Sequence, residues 1–310
     1  MKMGFLASKY ENKTDGVLRS YDMRKPSAKI ASIVILLVCV LMMLIVVFPI
    51  IWVMLAGFKD IREFQRSLRI LPNSFSIAGY TASWESLKFM RYYLNSAIIA
   101  VGGAFCAVIF NGLLAYVLGV VRPRGHKIVF ALVMWTLLIP PTTSVVAQVV
   151  NIHNVIEGLS KLLRINATTS LLPVIPLWLI MGANAFWLVL FKQFFESLPK
   201  DYVEAAQLDG CSGFGIFRRI ILPLSTPIVM VIVIFAVTAA WSDFLLPNLL
   251  LNNGPWETVM VRLFQFRSAI KVNDVDKIHA VVFSIIPPMI LFAIFQEKIT
   301  KGVTVGGIKG

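Results

Sequence analysis

The sequence E-A-A-Q-L-D-G at residues 204–210 is followed, after nine further residues, by I-I-L-P at residues 220–223. This polar stretch lies between two long apolar segments. It is too polar to cross a bilayer core, which requires about 20 mainly apolar residues, yet the apolar segments on both sides hold it in place. The stretch therefore predicts a short helical hairpin at a membrane surface, where it can dock to a partner in the adjacent water.

Six apolar segments are long enough to cross a membrane as helices. Their approximate bounds are 30–57, 96–121, 128–150, 171–191, 227–251 and 278–295. The chain is 58% hydrophobic and only 15% charged, against about 25% charged residues in a soluble domain. The sequence therefore predicts an all-α membrane protein with six transmembrane helices. Residues 1–29 form an N-terminal segment, 30–296 a membrane domain that includes a helix-turn-helix at 197–223 between spans four and five, and 297–310 a C-terminal tail.

Lysines and arginines indicate the orientation of the six spans. Seventeen of them lie on the side of both termini and twelve on the opposite side. Because positive loops stay preferentially in the cytoplasm, both termini and the hairpin are predicted to be cytoplasmic in a multi-pass protein of a bacterial or archaeal cell membrane. The formal net charge of +13 is assigned to loops that contact anionic membrane lipid. Nucleic acid is excluded as a partner because no basic stripe with interleaved aromatic residues occurs.

No pattern of a catalytic or metal site occurs in the sequence. It lacks a G-x-x-x-x-G-K-[ST] loop for ATP, an H-E-x-x-H pair and a G-x-S-x-G turn. The three cysteines show no metal or disulfide spacing, and the three histidines stand alone at segment edges, where they are interpreted as loop residues. We therefore expect a protein that is not an enzyme and that has no catalytic residue, metal or cofactor of its own.

Two prolines lie close together in each of three of the six predicted spans. Pro140 and Pro141 lie in the third, Pro173 and Pro176 in the fourth, and Pro287–Pro288 in the sixth. Proline removes a backbone hydrogen bond, and in lipid the freed carbonyls need partners in the protein or along a wet cavity. Broken helices that line a transport path and ordinary kinks both remain open interpretations, and three such sites together favour a path.

Two polar residues within the predicted spans are candidates for that pathway. Asp243 is the only acid inside a span, and charges embedded in a membrane are usually functional; a structural hydrogen bond is the alternative. Asn184 lies beside Gly182 and Ala183 in the fourth span, where it can line the path or serve helix packing. An ion-coupled secondary transporter would need ionisable residues at mid-membrane depth, and Asp243 is the one candidate.

Local signals divide the hairpin into two helices. Ser197 is predicted to cap the first helix, with Pro199 and Asp201 in its first turn. Gly210 is predicted to end this helix, because the residue that ends a helix often needs a positive φ. Ser212 can cap the second helix. One face of the first helix is predicted to carry the apolar residues at 202, 203, 205, 206 and 208. The alternative is an amphipathic helix lying on lipid, but four acids in the loop oppose contact with an anionic surface.

The spacing E-A-A, three residues, G, nine residues, I-x-L-P resembles the signature cytoplasmic loop of permease subunits in binding-protein-dependent ABC importers. The extended L-P-K-D-Y-V-E-A-A-Q-L-D-G at 198–210 and W-S-D-F-L-L-P at 241–247 look like the carbohydrate-uptake branch. The closing G-V-T-V-G-G-I-K-G at 302–310 is similar to the tail of its second permease, the counterpart of the smaller maltose permease. The residues that the resemblance assigns to ATPase coupling are Glu204, Ala205, Ala206, Asp209, Gly210, Ile220, Leu222 and Pro223.

This resemblance implies the partners and the energy source. The hairpin would sit in a cleft of an ATPase dimer that binds ATP and Mg, a second permease would complete a heterodimer, and an extracytoplasmic binding protein would deliver a sugar or oligosaccharide. Alternating access would follow closure of the ATPase. Gly306, Gly307 and Gly310 would reach the ATPase interface, unless the tail is a frayed terminus. The loop at about 252–277 resembles one that contacts the binding protein. A permease for another solute, such as glycerol phosphate, is the alternative.

Overall fold

The computed structural model describes residues 26–307, apart from 68, 167–169 and 270–271. The described residues form helices joined by turns and contain no strand, as predicted for an all-α protein. The helices in chain order are α1 (Pro26–Ala56), α2 (Ile61–Arg66), α3 (Ala78–Ser86), α4 (Phe89–Val121), α5 (His126–Thr136), α6 (Pro141–Leu163), α7 (Ile175–Gly182), α8 (Ala185–Ser197), α9 (Asp201–Leu208), α10 (Gly213–Leu224), α11 (Thr226–Ser242), α12 (Leu245–Leu251), α13 (Val259–Ser268) and α14 (Asp274–Gly307).

Three of these helices, α1, α4 and α14, are long and apolar enough to cross a membrane. Two bent pairs would raise the number to five: α7 with α8, bent by 45°, and α10 with α11, bent by 83°. The predicted third span at 128–150 is divided, because α5 ends at Thr136 and α6 starts at Pro141 after a non-helical Pro140 (φ −58°, ψ 129°). A proline disfavours helical backbone in the residue before it, so Pro141 favours a break at this position. The count of six spans stays a prediction.

The proline pair Pro287–Pro288 lies inside α14 and does not break it. The two missing amide N–H groups free the carbonyls of Phe283 and Ser284, four residues earlier. Side chains of neighbouring helices take their place: Tyr93 Oη donates to the Phe283 carbonyl, and Trp241 Nε1 donates to the Ser284 carbonyl at 3.0 Å. The helix therefore stays continuous because α4 and α11 supply the two lost donors.

Other boundaries also differ from the prediction. α14 extends past residue 296, the predicted end of the membrane domain, to Gly307. The fourth predicted segment begins late, since α7 starts after Pro173 and has Pro176 in its first turn, where a missing N–H breaks no helical bond. Residues 1–25 of the predicted N-terminal segment lie outside the described residues, and α1 begins at Pro26.

The long helix α4 forms the centre of the fold. Its first half packs against α7 and α11, and its second half packs against α8. Glycines permit the close approach: a Cβ added to Gly102 would lie 2.2 Å from Cε2 of Trp178, and one added to Gly182 would lie 2.8 Å from Cδ2 of Phe110. Small residues at helix contacts are typical of membrane proteins, in which lipid tails leave no hydrophobic force between helices.

By contrast, α1 is apolar on all sides and its side chains are largely exposed up to about residue 51. Its C-terminal end is tied to the rest of the fold by two hydrogen-bonding contacts. Tyr80 Oη donates to the Met54 carbonyl (2.9 Å), and His279 Nε2 lies 2.6 Å from the Gly57 carbonyl oxygen. Burial raises the pKa of Tyr80, which keeps it a neutral donor. His279 is 1% exposed and lies within α14, so its interpretation as a loop residue is wrong.

Replacement of Trp241 by phenylalanine tests whether the indole N–H of Trp241 stabilises α14. The change leaves the Ser284 carbonyl without its partner, and an unsatisfied buried acceptor costs about 1–3 kcal/mol. The matched control is Trp135→Phe, because Trp135 is 66% exposed. Thermal unfolding of the purified protein in detergent should give a lower midpoint for Trp241→Phe than for the control. Equal midpoints would contradict this account of the continuous helix.

Candidate functional site

The hairpin consists of α9, a short turn and α10. Two hydrogen bonds of 3.0 Å end α9: the Gly210 amide donates to the Gln207 carbonyl, and the Cys211 amide donates to the Ala206 carbonyl. Gly210 has φ +73°, and this pairing around a left-handed glycine is a common helix stop. Ser212 Oγ then accepts the backbone N–H three residues later (3.2 Å) as the N-cap of α10. The predicted stop at Gly210 and cap at Ser212 are confirmed.

The start of α9 differs from the prediction. α8 extends to Ser197, whose Oγ donates to the Phe194 carbonyl at 2.7 Å. α9 begins at Asp201, and its N-cap position is Lys200, without a side-chain cap. The prediction that Ser197 caps α9 is wrong because the preceding helix continues over that residue. Asp201 and Glu204 nevertheless lie in the first turn of α9, where negative charge is favourable.

The residues assigned to coupling fall on two sides of the hairpin. Those packed against the helical core are Ala206, Ile220 and Leu222. Those exposed are Glu204, Ala205, Asp209, Gly210 and Pro223. One part of the pattern thus fixes the hairpin to the membrane helices, and the other part is available to a partner.

Three large apolar side chains also project from the hairpin. Leu208 is 89% exposed, Phe214 is 63% exposed and Tyr202 is 50% exposed. The prediction that the apolar residues of α9 share one face is wrong, because Val203 and Ala206 pack against the core while Tyr202 and Leu208 do not. Such exposed apolar groups on a polar segment are typical of interaction sites. The exposed face of the hairpin is defined here as Tyr202, Glu204, Ala205, Leu208, Asp209 and Phe214.

The second hairpin helix, α10, contacts α4 through buried apolar side chains. Ile216, Phe217 and Ile221 are each at most 3% exposed. The ring centre of Phe217 lies 5.4 Å from that of Tyr116 in α4, and a Cβ added to Gly112 would lie 3.7 Å from Phe217 Cζ. The hairpin and the C-terminal half of α4 therefore form one packed unit.

An ion-pair network joins the base of the hairpin to the same end of α4. Glu196 accepts hydrogen bonds at Oε1 from Arg122 Nη2 (3.0 Å) and Lys192 Nζ (2.9 Å). Arg122 Nε also donates to the Gly119 carbonyl at 2.7 Å, and Lys192 Nζ lies 4.5 Å from the ring centre of Phe130 in α5. Because these groups are partly exposed, each pair contributes only about 0–1 kcal/mol. The network mainly orients α8 relative to α4 and α5.

Asp243 and Asn184 both lie where a helix breaks. Asp243 follows α11, and its Oδ1 accepts the Leu245 amide at 3.0 Å where α12 begins. Asn184 is the N-cap of α8, and its Oδ1 accepts the Trp187 amide at 3.1 Å. The structural hydrogen bond considered for Asp243 is therefore present, and Asn184 caps a helix. A pathway role for either residue stays a prediction.

The predicted tail residues are only partly described. Gly306 and Gly307 lie at the end of α14, and Gly310 lies outside the described residues, so their contact with an ATPase stays a prediction. Within the described ranges, no group of three or more His, Cys, Asp or Glu residues could hold a metal ion.

Asn111 is a buried polar residue that the sequence analysis did not single out. It is 1% exposed, and its amide contacts both Met181 and Asn184 at the break between α7 and α8. The sequence feature that could have identified Asn111 was a single amide side chain within an apolar segment. Its partners could not be inferred, because they lie at least 70 residues further along the chain.

The left-handed turn gives a direct test of hairpin stiffness. Gly210→Ala should loosen the hairpin, because left-handed backbone costs an alanine about 1–2 kcal/mol. Gly213→Ala is the matched control, since Gly213 lacks positive φ and neither glycine has an atom within 4 Å of an added Cβ. Hydrogen–deuterium exchange should be faster in α9 for Gly210→Ala only. Equal exchange in the two variants would contradict the role of Gly210 in ending α9.

Comparison with known proteins shows a family for this chain. Residues 27–305 match the family described as "binding-protein-dependent transport system inner membrane component". The arabinooligosaccharides transport system permease protein of Bacillus subtilis (strain 168) is 28% identical over 289 residues, covering 92% of this chain and 98% of that protein. The diacetylchitobiose uptake system permease protein of Streptomyces coelicolor is 27% identical over 270 residues, covering 86% and 85%.

The fold is also similar to a solved structure. A chain from a bacterial ABC transporter involved in the import of the acidic polysaccharide alginate aligns with a TM-score of 0.75 and 22% sequence identity, covering 88% of this chain and 98% of that one. The resemblance inferred from the hairpin spacing is confirmed at the level of the family. The chain belongs to the inner membrane components of binding-protein-dependent transport systems.

Proposed function

We propose that this chain is a transmembrane permease subunit of an ATP-driven importer for a sugar or oligosaccharide. The exposed face of the hairpin is the observation that carries the proposal. It presents Leu208 and Phe214 beside the acid Glu204 on a unit that is packed against α4. Membership of the family supplies the class of protein. The names of the Bacillus and Streptomyces relatives, which refer to oligosaccharide transport and diacetylchitobiose uptake, support the carbohydrate substrate.

In the proposed arrangement the chain has six spans, with residues 128–150 supplying the third. Both termini and the hairpin lie in the cytoplasm, and the protein lies in a bacterial or archaeal cell membrane. A second permease forms a heterodimer with it. An ATPase dimer binds ATP and Mg at the cytoplasmic side, and an extracytoplasmic binding protein delivers the sugar near residues 252–277. The excess of basic residues on the side of the termini supports this orientation.

The hairpin geometry suggests how energy reaches the membrane helices. Leu208 and Phe214 would fill a cleft on the ATPase, because desolvation of large side chains provides most of the free energy of an interface. Glu204, in the first turn of α9, would pair with a basic group of the ATPase at the rim. Since α10 packs on α4 through Phe217 and Tyr116, closure of the ATPase would move the hairpin and α4 together. The tail glycines Gly306, Gly307 and Gly310 would add a second contact.

An ion-coupled secondary transporter is not favoured by the site. Its only acidic candidate within a predicted span, Asp243, accepts a backbone hydrogen bond from Leu245 at the start of α12. A transporter of that class would also have no use for an apolar docking surface. The contacts of Asp243 therefore support a structural role, and the energy source is assigned to a separate ATPase.

Removal of one exposed side chain tests this function in the assembled complex. The tagged chain is purified from its own host in mild detergent, and an ATPase should co-purify with it. Leu208→Ala should weaken that association by about tenfold or more, as expected at an interface hot spot. Leu162→Ala is the matched control, because Leu162 of α6 is also strongly exposed (77%). Affinity is measured by titrating the purified ATPase onto each variant.

Uptake by proteoliposomes completes the test. The wild-type complex with its binding protein should take up at least one member of a panel of arabinooligosaccharides, chitobiose and galactooligosaccharides when ATP is present. Uptake of glycerol phosphate instead would replace the sugar assignment. Uptake by this chain alone in a proton gradient would overturn the ATPase assignment, as would equal ATPase affinity of the Leu208 and Leu162 variants.

A further inference from the structure

The break between α7 and α8 is closed by a side chain from a third helix. In a continuous helix the Met181 carbonyl would accept the Ala185 amide, and the Asn184 amide would donate to the Ile180 carbonyl. Asn184 instead has extended backbone (φ −93°, ψ 112°). Asn111 of α4 bonds both freed groups: its Nδ2 donates to the Met181 carbonyl (3.0 Å), and its Oδ1 accepts the Asn184 amide (2.9 Å).

Helix α4, which supplies this amide, is itself irregular next to Asn111. Asn111 ends a π-helical stretch that begins at Ala107, and its second N–H donates to the Ala107 carbonyl at 2.8 Å. Gly182 lies directly against this stretch, since an added Cβ would be 2.8 Å from Phe110 Cδ2 and 3.3 Å from the Cys106 carbonyl oxygen. π-helical turns of this kind occur frequently at functional sites. Two irregular helices therefore meet at a single amide.

The two helices on either side of the break belong to different parts of the fold. α7 packs against the first half of α4, through Trp178 beside Gly102. α8 packs against the second half of α4, and it leads within three residues to α9 of the hairpin. Glu196 near the end of α8 is also bonded to Arg122 at the end of α4. A displacement of the hairpin would therefore move α8. At the break at residues 183–184, this movement of α8 can either be absorbed by bending or be passed on to α7.

We propose that Asn111 is the positioning residue of a hinge between α7 and α8, through which movement of the hairpin reaches the rest of the membrane domain. The proposal rests on the proposed function. Because Asn111 bonds groups on both sides of the break, the Met181 carbonyl and the Asn184 amide stay paired when α7 and α8 move. The amide also fixes the angle of the bend, so that rotation of α8 is transmitted to α7 and not lost as bending at the break.

The distinguishing measurement is the number of sugar molecules transported per ATP hydrolysed. In the complete complex in proteoliposomes, Asn111→Ala should lower this ratio by about fivefold or more, the lower end of typical coupling between sites, while ATP hydrolysis continues. Ser284→Ala is the control. Ser284 is also a buried polar residue of a membrane helix (7% exposed), and its Oγ also donates to a carbonyl four residues earlier on its own helix, that of Ala280 (2.7 Å). Its loss should leave the ratio unchanged, even if total activity falls.

A second measurement uses this chain without the other subunits, so it tests the hinge independently of the proposed function. Spin labels are placed at Leu179 of α7 and Gln193 of α8, both exposed, after the native cysteines are replaced. Double electron–electron resonance on the full chain in nanodiscs should give one narrow distance for the wild type and for Ser284→Ala. Asn111→Ala should give a broader distribution.

The outcomes are decisive in each case. Absence of ATP-driven uptake by the wild-type complex refutes the proposed function, and the spin-label distances then decide the hinge alone. An unchanged distance distribution in Asn111→Ala overturns the hinge. An unchanged ratio of transport to hydrolysis, or an equal loss of ratio in Ser284→Ala, overturns the positioning role and leaves Asn111 as a structural residue.

Discussion

A helix that bends or breaks inside an apolar segment exposes backbone groups that water cannot reach, and each must find another partner in the protein. The structure meets this requirement with side chains from neighbouring helices. Asn111 bonds the carbonyl and the amide freed between α7 and α8. Tyr93 and Trp241 bond the carbonyls freed by Pro287–Pro288, and Asp243 Oδ1 accepts the Leu245 amide at the start of α12. Much of the polar chemistry of the described membrane helices is therefore located where their backbone is irregular.

The hairpin meets two opposing requirements of a coupling element. It must expose apolar groups to a partner, and it must be stiff enough to transmit a displacement. Exposure is provided by Leu208 and Phe214. Stiffness comes from the left-handed Gly210, from the cap at Ser212 and from the burial of Phe217 against α4. The two requirements are compatible because the exposed groups lie on α9 and in the first turn of α10, while later residues of α10 make the buried contacts.

Local chemistry accounts for the features that the sequence predicted correctly. Gly210 and Ser212 act on backbone groups within a few residues of themselves, so composition and spacing were sufficient to locate them. Ser197 failed as a cap because packing extends α8 beyond its predicted end. The prediction that Tyr202 and Leu208 share a face with Val203 and Ala206 was also wrong. α9 has only eight residues and carries apolar side chains on two sides, and this pattern does not indicate which side meets the core. The roles of Asn111 and His279 depend on partners far along the chain, at separations of 70 and 222 residues.

The two proline pairs show why such distant partners decide the outcome. Pro140 and Pro141 coincide with a break, whereas Pro287 and Pro288 lie in a continuous helix. Both sites are two adjacent prolines, and each pair removes two backbone donors. At the second pair, α4 and α11 lie close enough to supply a phenol and an indole N–H. At the first pair, the preceding residues 137–139 are 46–79% exposed, so no neighbouring helix of the described chain covers them. A proline pair is therefore tolerated in a membrane helix where tertiary packing supplies replacement donors, and it ends the helix where packing does not.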